Sequence, residues 1–261
     1  FYADGVGSPG TDITFFDWPV GAEGRGTNSI CRTGFRINGE KSFAYWSRRL
    51  TALGIKHEKM QERDKRLTLD FEDPEGQRLS LVDDEGKSEA HSWSESPIPA
   101  EHQIRGLGPI TISVRELKST NEILTSVMGM TPSRRYGDIH VYTMAGVGPV
   151  AELHVTVEPN LPRADQGAGS VHHVAFNIPS ADYQAWAQRL KDMRVANSGP
   201  VDRFWFRSLY FREPNGILFE IATDGPGFSA DEPMDSLGKT LSLPPFLEAR
   251  RAQIEAALKP L

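Results

Sequence analysis

The segment Phe43-Ala-Tyr-Trp46-Ser-Arg-Arg49-Leu50 returns 140 positions later as Tyr183-Gln-Ala-Trp186-Ala-Gln-Arg189-Leu190. The same offset, without gaps, pairs further residues downstream: Arg63 with Arg203, Phe71 with Phe211, Pro74 with Pro214, and Gly76 with Gly216. Matches that keep one register over such a span indicate two copies of one structural unit.

Each copy has the pattern of a β-α-β-β-β unit. Runs of β-forming residues at 29–37 and 170–178 each precede a segment with apolar residues at helical spacing. Two further strands flank the turns Asp-Pro-Glu-Gly at 73–76 and Glu-Pro-Asn-Gly at 213–216. Proline and glycine favour chain reversal there, so each unit is predicted to end in a hairpin.

A third, weaker copy and two terminal segments complete the predicted α+β organisation. The predicted segments are the end of a truncated first unit at 1–20, a second unit at 26–87, a third at 105–158, a fourth at 168–225, and a C-terminal helix at 240–261. The opening residues 1–16 are interpreted as the last hairpin of the first unit, whose earlier part would precede Phe1.

Composition narrows the class of protein. The 261 residues are 38% hydrophobic and 25% charged, and they contain no apolar run near the roughly 18–20 residues that a membrane helix needs. A net charge of −6 argues against nucleic-acid and anionic-membrane partners, which select basic surfaces. The single cysteine, Cys31, excludes an internal disulfide and a thiolate zinc cluster, and it fits a cytoplasmic protein.

His173 and Glu220 are the most informative polar residues, because both interrupt apolar strand sequences. Burying such groups is costly unless they are partnered, which favours a metal site, although a strand histidine is more often an ordinary core or edge residue. In the second unit the corresponding residues are Thr33 and Ser80. The scaffold therefore does not itself require an imidazole or a carboxylate at these positions.

Two motifs of the fourth unit resemble a known superfamily: His-His-Val-Ala-Phe at 172–176 and Pro-Asn-Gly-x-x-x-Glu at 214–220. Together with the tandem β-α-β-β-β units, these motifs resemble those of the vicinal oxygen chelate superfamily, which includes glyoxalases, bleomycin-resistance proteins and extradiol dioxygenases. The hydroquinone-type ring-cleaving dioxygenases are the members that the chain resembles most. The resemblance implies two lobes of curved mixed sheets, with the two middle units paired with each other.

The resemblance also implies site residues. Such enzymes bind a divalent metal through two histidines and one glutamate, and His173 and Glu220 match two of these ligands. His172, Arg203 and Tyr210 match groups that orient substrate oxygens and stabilise negative charge. For Arg203 a structural ion pair is nearly as well supported, because its repeat partner Arg63 lies in a unit without metal ligands.

The third metal ligand has no good candidate in this sequence. The family's first histidine lies on the first strand of the first unit, which here would precede Phe1, so the sequence is expected to be a truncated or processed form. Glu152 and His154 form a competing pair of donors on one face of a strand, but no histidine accompanies them on the first strand of the third unit.

Two points of register stay open in the sequence. Because side chains alternate along a strand, His172 and His173 point to opposite faces unless the strand is irregular. Tyr210 and Glu220 share a face only if the hairpin loop between them has three or five residues.

The resemblance implies an iron(II)- or manganese(II)-dependent dioxygenase that opens a hydroquinone-like ring with O2. Its partners would be a small aromatic substrate and O2, with no nucleic acid and no membrane, and a homo-oligomer is possible. Two alternatives stay open: a glyoxalase-like isomerase or thiol transferase, and a metal-free binding protein of the bleomycin-resistance type.

Overall fold

The computed structural model describes residues 1–144 and 148–258. Residues 145–147, inside the predicted third unit, and 259–261, at the end of the predicted C-terminal helix, lie outside the described residues. Within the described part, two separate sheets account for the regular strands and form two lobes, as the predicted α+β fold requires.

The first sheet has eight strands and combines the two middle copies of the repeat. Its strands are β1 (Ser29–Ile37), β2 (Gln61–Arg63), β3 (Arg66–Glu72), β4 (Arg78–Asp83), β5 (Leu107–Val114), β6 (Thr131–Tyr136), β7 (Ile139–Thr143) and β8 (Glu152–Val157). The spatial order is β2-β3-β4-β1-β5-β8-β7-β6. Antiparallel pairing of β1 with β5 joins the two copies into one mixed sheet.

The second sheet belongs to the fourth copy. It contains β9 (Val174–Ile178), β10 (Val201–Asp202), β11 (Arg207–Arg212) and β12 (Leu218–Thr223), in the order β10-β11-β12-β9. The prediction that the first strand of this copy begins at residue 170 is wrong, because regular pairing with β12 begins only at Val174. His172 and His173 therefore precede the strand.

Helices cover the sheets and bury the repeated apolar positions. They are α1 (Gly39–Ala52), α2 (Leu117–Glu122) with a wider turn at Ile123–Val127, α3 (Tyr183–Asp192) and α4 (Arg251–Ala257), which follows a 3-10 turn at Pro245–Arg250. Leu50 in α1 and Leu190 in α3, one repeat apart, are both buried. In the described part of the chain, no helix is both long enough and apolar enough to cross a membrane.

One apolar core joins the third and fourth copies, although their strands lie in different sheets. Ile112 and Leu153 from the first sheet belong to the same buried cluster as Leu190 and Phe219 from the fourth copy. Arg189 on α3 reinforces this contact by donating hydrogen bonds to the carbonyl oxygens of residues 126 and 127, both at 2.6 Å. The two lobes therefore pack through the third copy.

The N-terminal segment lies against the fourth copy. Tyr2 and Ile13 form a single antiparallel bridge, and residues 1–16 form no regular strand. The ring of Phe1 contacts those of Trp205 and Phe228, with centroid distances of 6.3 and 5.1 Å. The segment predicted as the end of a first unit is thus placed beside the unit that carries His173 and Glu220.

Truncation of Leu190 tests the shared core. Leu190 is 0% exposed, so Leu190→Ala is expected to lower the free energy of unfolding by about 2–5 kcal/mol, since it leaves a cavity. Leu161→Ala is the control, because Leu161 is 41% exposed and should cost less than about 0.5 kcal/mol. Urea denaturation measures both, and equal losses would contradict the assignment of the core.

Candidate metal centre and substrate site

The hairpin of β11 and β12 brings Tyr210 and Glu220 together. Arg212 pairs with Leu218, which leaves a loop of five residues at 213–217, and Tyr210 lies directly opposite Glu220. Gly216 in this loop has φ +96°, a backbone conformation that glycine adopts without strain. The register that the sequence left open therefore places Tyr210 and Glu220 on one face of the sheet.

The carboxylate of Glu220 is the centre of the site. The residue is 3% exposed, and its Oε2 lies 2.8 Å from Nε2 of His173. The hydroxyl of Ser208 donates a hydrogen bond of 2.5 Å to Oε1. Burial acts to raise the pKa of Glu220, but hydrogen bonds from His173, Ser208 and Tyr210 outweigh it and hold the pKa below its usual value. Glu220 is thus a buried, ionised carboxylate.

The two neighbouring histidines lie close together rather than on opposite faces. Their Nδ1 atoms are 2.9 Å apart, and strand alternation does not apply because both precede β9. Burial lowers the pKa of His172, and the neighbouring charges of His173 and Arg212 lower it further. The short distance between the two Nδ1 atoms requires one of them to donate a hydrogen bond to the other, while Nε2 of His173 faces the carboxylate of Glu220.

Arg203 and Tyr210 form the second half of the site. Arg203 Nε donates to the Tyr210 hydroxyl at 3.3 Å, and the guanidinium carbon lies 5.3 Å from the ring centroid. Burial raises the pKa of Tyr210, so its hydroxyl keeps its proton at neutral pH. Within the described residues Arg203 makes no ion pair. The alternative prediction, that Arg203 forms a structural ion pair, is therefore wrong for this part of the chain.

The second unit has the same hairpin register but a different charge arrangement. Asp70 pairs with Ser80 across β3 and β4, as Tyr210 pairs with Glu220. The two terminal guanidinium nitrogens of Arg63 bind Asp70, at 2.5 and 3.1 Å, and Arg32 approaches it to 3.0 Å. Ser80 donates a hydrogen bond to the same carboxylate. The carboxylate thus stands opposite the position that Glu220 occupies in the fourth unit, and it neutralises the arginine.

A second group of possible metal donors lies in the eight-stranded sheet. Asp64, Glu152 and His154 have donor atoms within 4.8 Å of one another, so the structure does bring together the competing pair Glu152 and His154. Arg66 binds both oxygens of Glu152, at 2.7 and 2.9 Å. Arg134 bridges Asp64 and Glu152.

These two arginines make the group around Glu152 a poor cation site. A divalent ion there would have to displace guanidinium groups from carboxylates that they already neutralise. Burial acts to raise the pKa of Glu152, but hydrogen bonds from Arg66, His154 and Arg134 hold it far below the usual range. The group is therefore a satisfied ion-pair network.

The donor pair His173 and Glu220 fits a divalent metal better. No arginine binds Glu220 within the described chain, and one imidazole nitrogen faces one carboxylate oxygen, a combination that suits iron or manganese. A metal taking the place of the proton between them would be bound by both atoms. Among residues 1–144 and 148–258, no third histidine or carboxylate joins this pair, and the third ligand stays a prediction.

Sequence reasoning missed three residues at this site. Ser208 lies two positions before Tyr210, so strand alternation alone could have placed it on the same face. Phe16 and Trp18 contact the ring of His172, with centroid distances of 5.8 and 5.5 Å. Only long-range packing places these two rings there, and no local pattern could have found them.

The fold and the comparisons with known proteins define a protein class. Residues 106–221 match the model of the Glyoxalase/Bleomycin resistance protein/Dioxygenase superfamily. The chain belongs to this superfamily, as the resemblance in its fourth unit predicted.

Several relatives match this protein over nearly its whole length. "Putative ring-cleaving dioxygenase MhqA" of Bacillus subtilis is 44% identical over 100% of this chain and 85% of its own length. "Chlorohydroquinone/hydroquinone 1,2-dioxygenase" of Sphingobium indicum is 26% identical over 97% of this chain and 81% of its own. A crystal structure described as a "putative dioxygenase" from Bacillus subtilis covers 99% of this chain and 82% of its own, with a TM-score of 0.91 and 32% identity. The relatives named as ring-cleaving dioxygenases support an enzyme.

The ion-pair network of Glu152 predicts a pH-dependent stability. Glu152→Gln breaks buried ion pairs and is expected to cost about 3–5 kcal/mol at pH 7. Because the folded-state pKa lies below the unfolded value of 4.5, this contribution is complete above about pH 4.5 and is lost as the pH falls further.

Urea denaturation at pH 7, 5, 4 and 3 measures this effect. The difference between the wild type and Glu152→Gln should shrink below about pH 4.5. Glu62→Gln, an exposed carboxylate of the same sheet, is the control and should follow the wild type. A difference that stays constant with pH would contradict the assignment.

Proposed function

We propose that this protein opens a hydroquinone-like dihydroxylated ring with O2 at a divalent metal, iron(II) or manganese(II). The observation that carries the proposal is the convergence of His173, Glu220, Tyr210 and Arg203 on one face of the fourth unit. The relatives named as ring-cleaving dioxygenases support the same reaction class.

His173 and Glu220 would hold the metal. Such a metal would supply the Lewis-acid and redox chemistry for the reaction of the substrate with O2. Ser208 fixes Glu220 through the hydrogen bond to Oε1. Oε2, the oxygen that faces His173, would then be the oxygen available to hold the metal.

Arg203 and Tyr210 would bind the substrate oxygen. A hydroquinone that loses a proton carries negative charge on oxygen, and a guanidinium without a carboxylate partner attracts it. The Tyr210 hydroxyl is a donor beside the same guanidinium and can deliver a proton to an oxygen that gains charge. His172, whose Nδ1 lies 2.9 Å from Nδ1 of His173, would also orient the substrate and is a second candidate proton donor.

The experiment is O2 uptake with hydroquinone and iron(II) or manganese(II), followed by ring opening. We expect uptake to match ring loss one to one. Glutathione-dependent isomerisation or transfer without O2 uptake would instead indicate the glyoxalase-like alternative. Ligand binding without any bound metal would indicate the bleomycin-resistance type.

Metal content separates the two candidate centres. His173→Ala and Glu220→Gln should each lose bound iron or manganese, measured by elemental analysis after dialysis, whereas His154→Ala should retain it. Retention by His173→Ala together with loss by His154→Ala would move the site to the eight-stranded sheet.

The repeat offers a matched pair of arginine variants. Arg203→Met should lower kcat/KM about tenfold or more, because a charge-assisted hydrogen bond contributes about 1.5–3 kcal/mol. It should leave stability nearly unchanged. Arg63→Met should do the reverse, since it removes one of the two arginines that bind the largely buried Asp70. Steady-state kinetics and urea denaturation of both variants measure this, and equal kinetic losses would contradict the role of Arg203.

A further inference from the structure

Two aromatic side chains of the N-terminal segment border the proposed site. Phe16 is 47% exposed and Trp18 is 53% exposed. Their rings stack on each other at 4.6 Å with an interplanar angle of 21°. Both turn towards His172 in edge-to-face contacts. They thus form a pair of adjoining, half-exposed aromatic surfaces.

A short series of contacts connects this pair to the proposed metal ligands. His172 lies between the aromatic pair and His173, with 2.9 Å between the two Nδ1 atoms. His173 in turn faces Glu220 at 2.8 Å. His172 and the imidazole ring of His173 therefore separate the aromatic surface from Nε2 of His173 and Oε2 of Glu220, the atoms that would bind the metal.

Core packing does not account for these two rings. Neither belongs to a buried apolar cluster among the described residues, and both instead contact the ring of His172. The neighbouring Phe15 differs, because its ring contacts that of Tyr2, with a centroid distance of 5.8 Å, and not that of His172. The two residues that flank Asp17 are thus the ones placed beside the site.

We infer that Phe16 and Trp18 form the wall that binds the substrate's aromatic ring and that they select aromatic over saturated diols. This inference rests on the proposed function. Aromatic rings attract each other in offset-stacked or edge-to-face geometry, through the quadrupole of the π system. A saturated ring with the same hydroxyl groups lacks this interaction, although its oxygens would reach the same polar groups.

Binding under anaerobic conditions tests the inference without turnover. The probes are hydroquinone and cyclohexane-1,4-diol, titrated calorimetrically into metal-loaded protein. The wild type should prefer hydroquinone. Trp18→Leu and Phe16→Leu should each weaken hydroquinone binding about three- to tenfold and leave binding of the saturated diol unchanged. Trp18→Phe should restore most of the preference, and Phe15→Leu is the matched control that should behave as the wild type.

The outcomes separate this inference from the proposed function. Unchanged hydroquinone binding in both leucine variants would overturn it, and so would equal loss for both probes or a wild type without preference for the aromatic ring. Thermal melting of each variant identifies a loss caused by unfolding, in which case Trp18→Phe provides the comparison. O2 uptake by the wild type decides the reaction separately, since the binding result does not depend on it.

Discussion

The site depends on one buried charge, the carboxylate of Glu220. An ionised group at 3% exposure is stable only if donors surround it. Three side chains act as these donors, and the sheet fixes the position of each. Ser208 and Tyr210 lie on the neighbouring antiparallel strand, and His173 precedes the parallel strand on the other side. A register slip of one residue would turn Ser208 and Tyr210 to the opposite face and leave the carboxylate without them.

The second unit shows how the same hairpin is arranged where the histidine and the glutamate of the candidate site are absent. There the carboxylate, Asp70, is on the strand that carries Tyr210 in the fourth unit, and a serine stands in the place of Glu220. The arginine is retained in both units, but among the described residues only the arginine of the second unit binds a carboxylate. Moving the carboxylate across the hairpin therefore does two things at once. It offers an oxygen to His173, and it leaves Arg203 without an ion-pair partner in the part of the chain that the structure describes.

The repeat made much of this predictable from sequence. The offset that aligns Trp46 with Trp186 also identified His173 and Glu220 as additions to the framework, and the structure places these two residues 2.8 Å apart. The relative positions of Tyr210 and Glu220 were not predictable, because loops of four and five residues fit the same Pro-Asn-Gly turn. The stacking of Phe16 and Trp18 beside His172 depends on contacts between distant segments, which a local pattern does not contain.

The register of this hairpin is itself anchored by the third unit. Glu213 begins the five-residue loop, is buried, and accepts a hydrogen bond of 2.9 Å from Thr120 on α2. Burial raises the pKa of Glu213, although Thr120, Asn215 and the amide of Ile217 donate to it. Because the loop length fixes which residue faces Glu220, a contact that holds the loop also holds Tyr210 in place. The third unit, which contributes no ligand to the proposed centre, thus contributes to its geometry through α2.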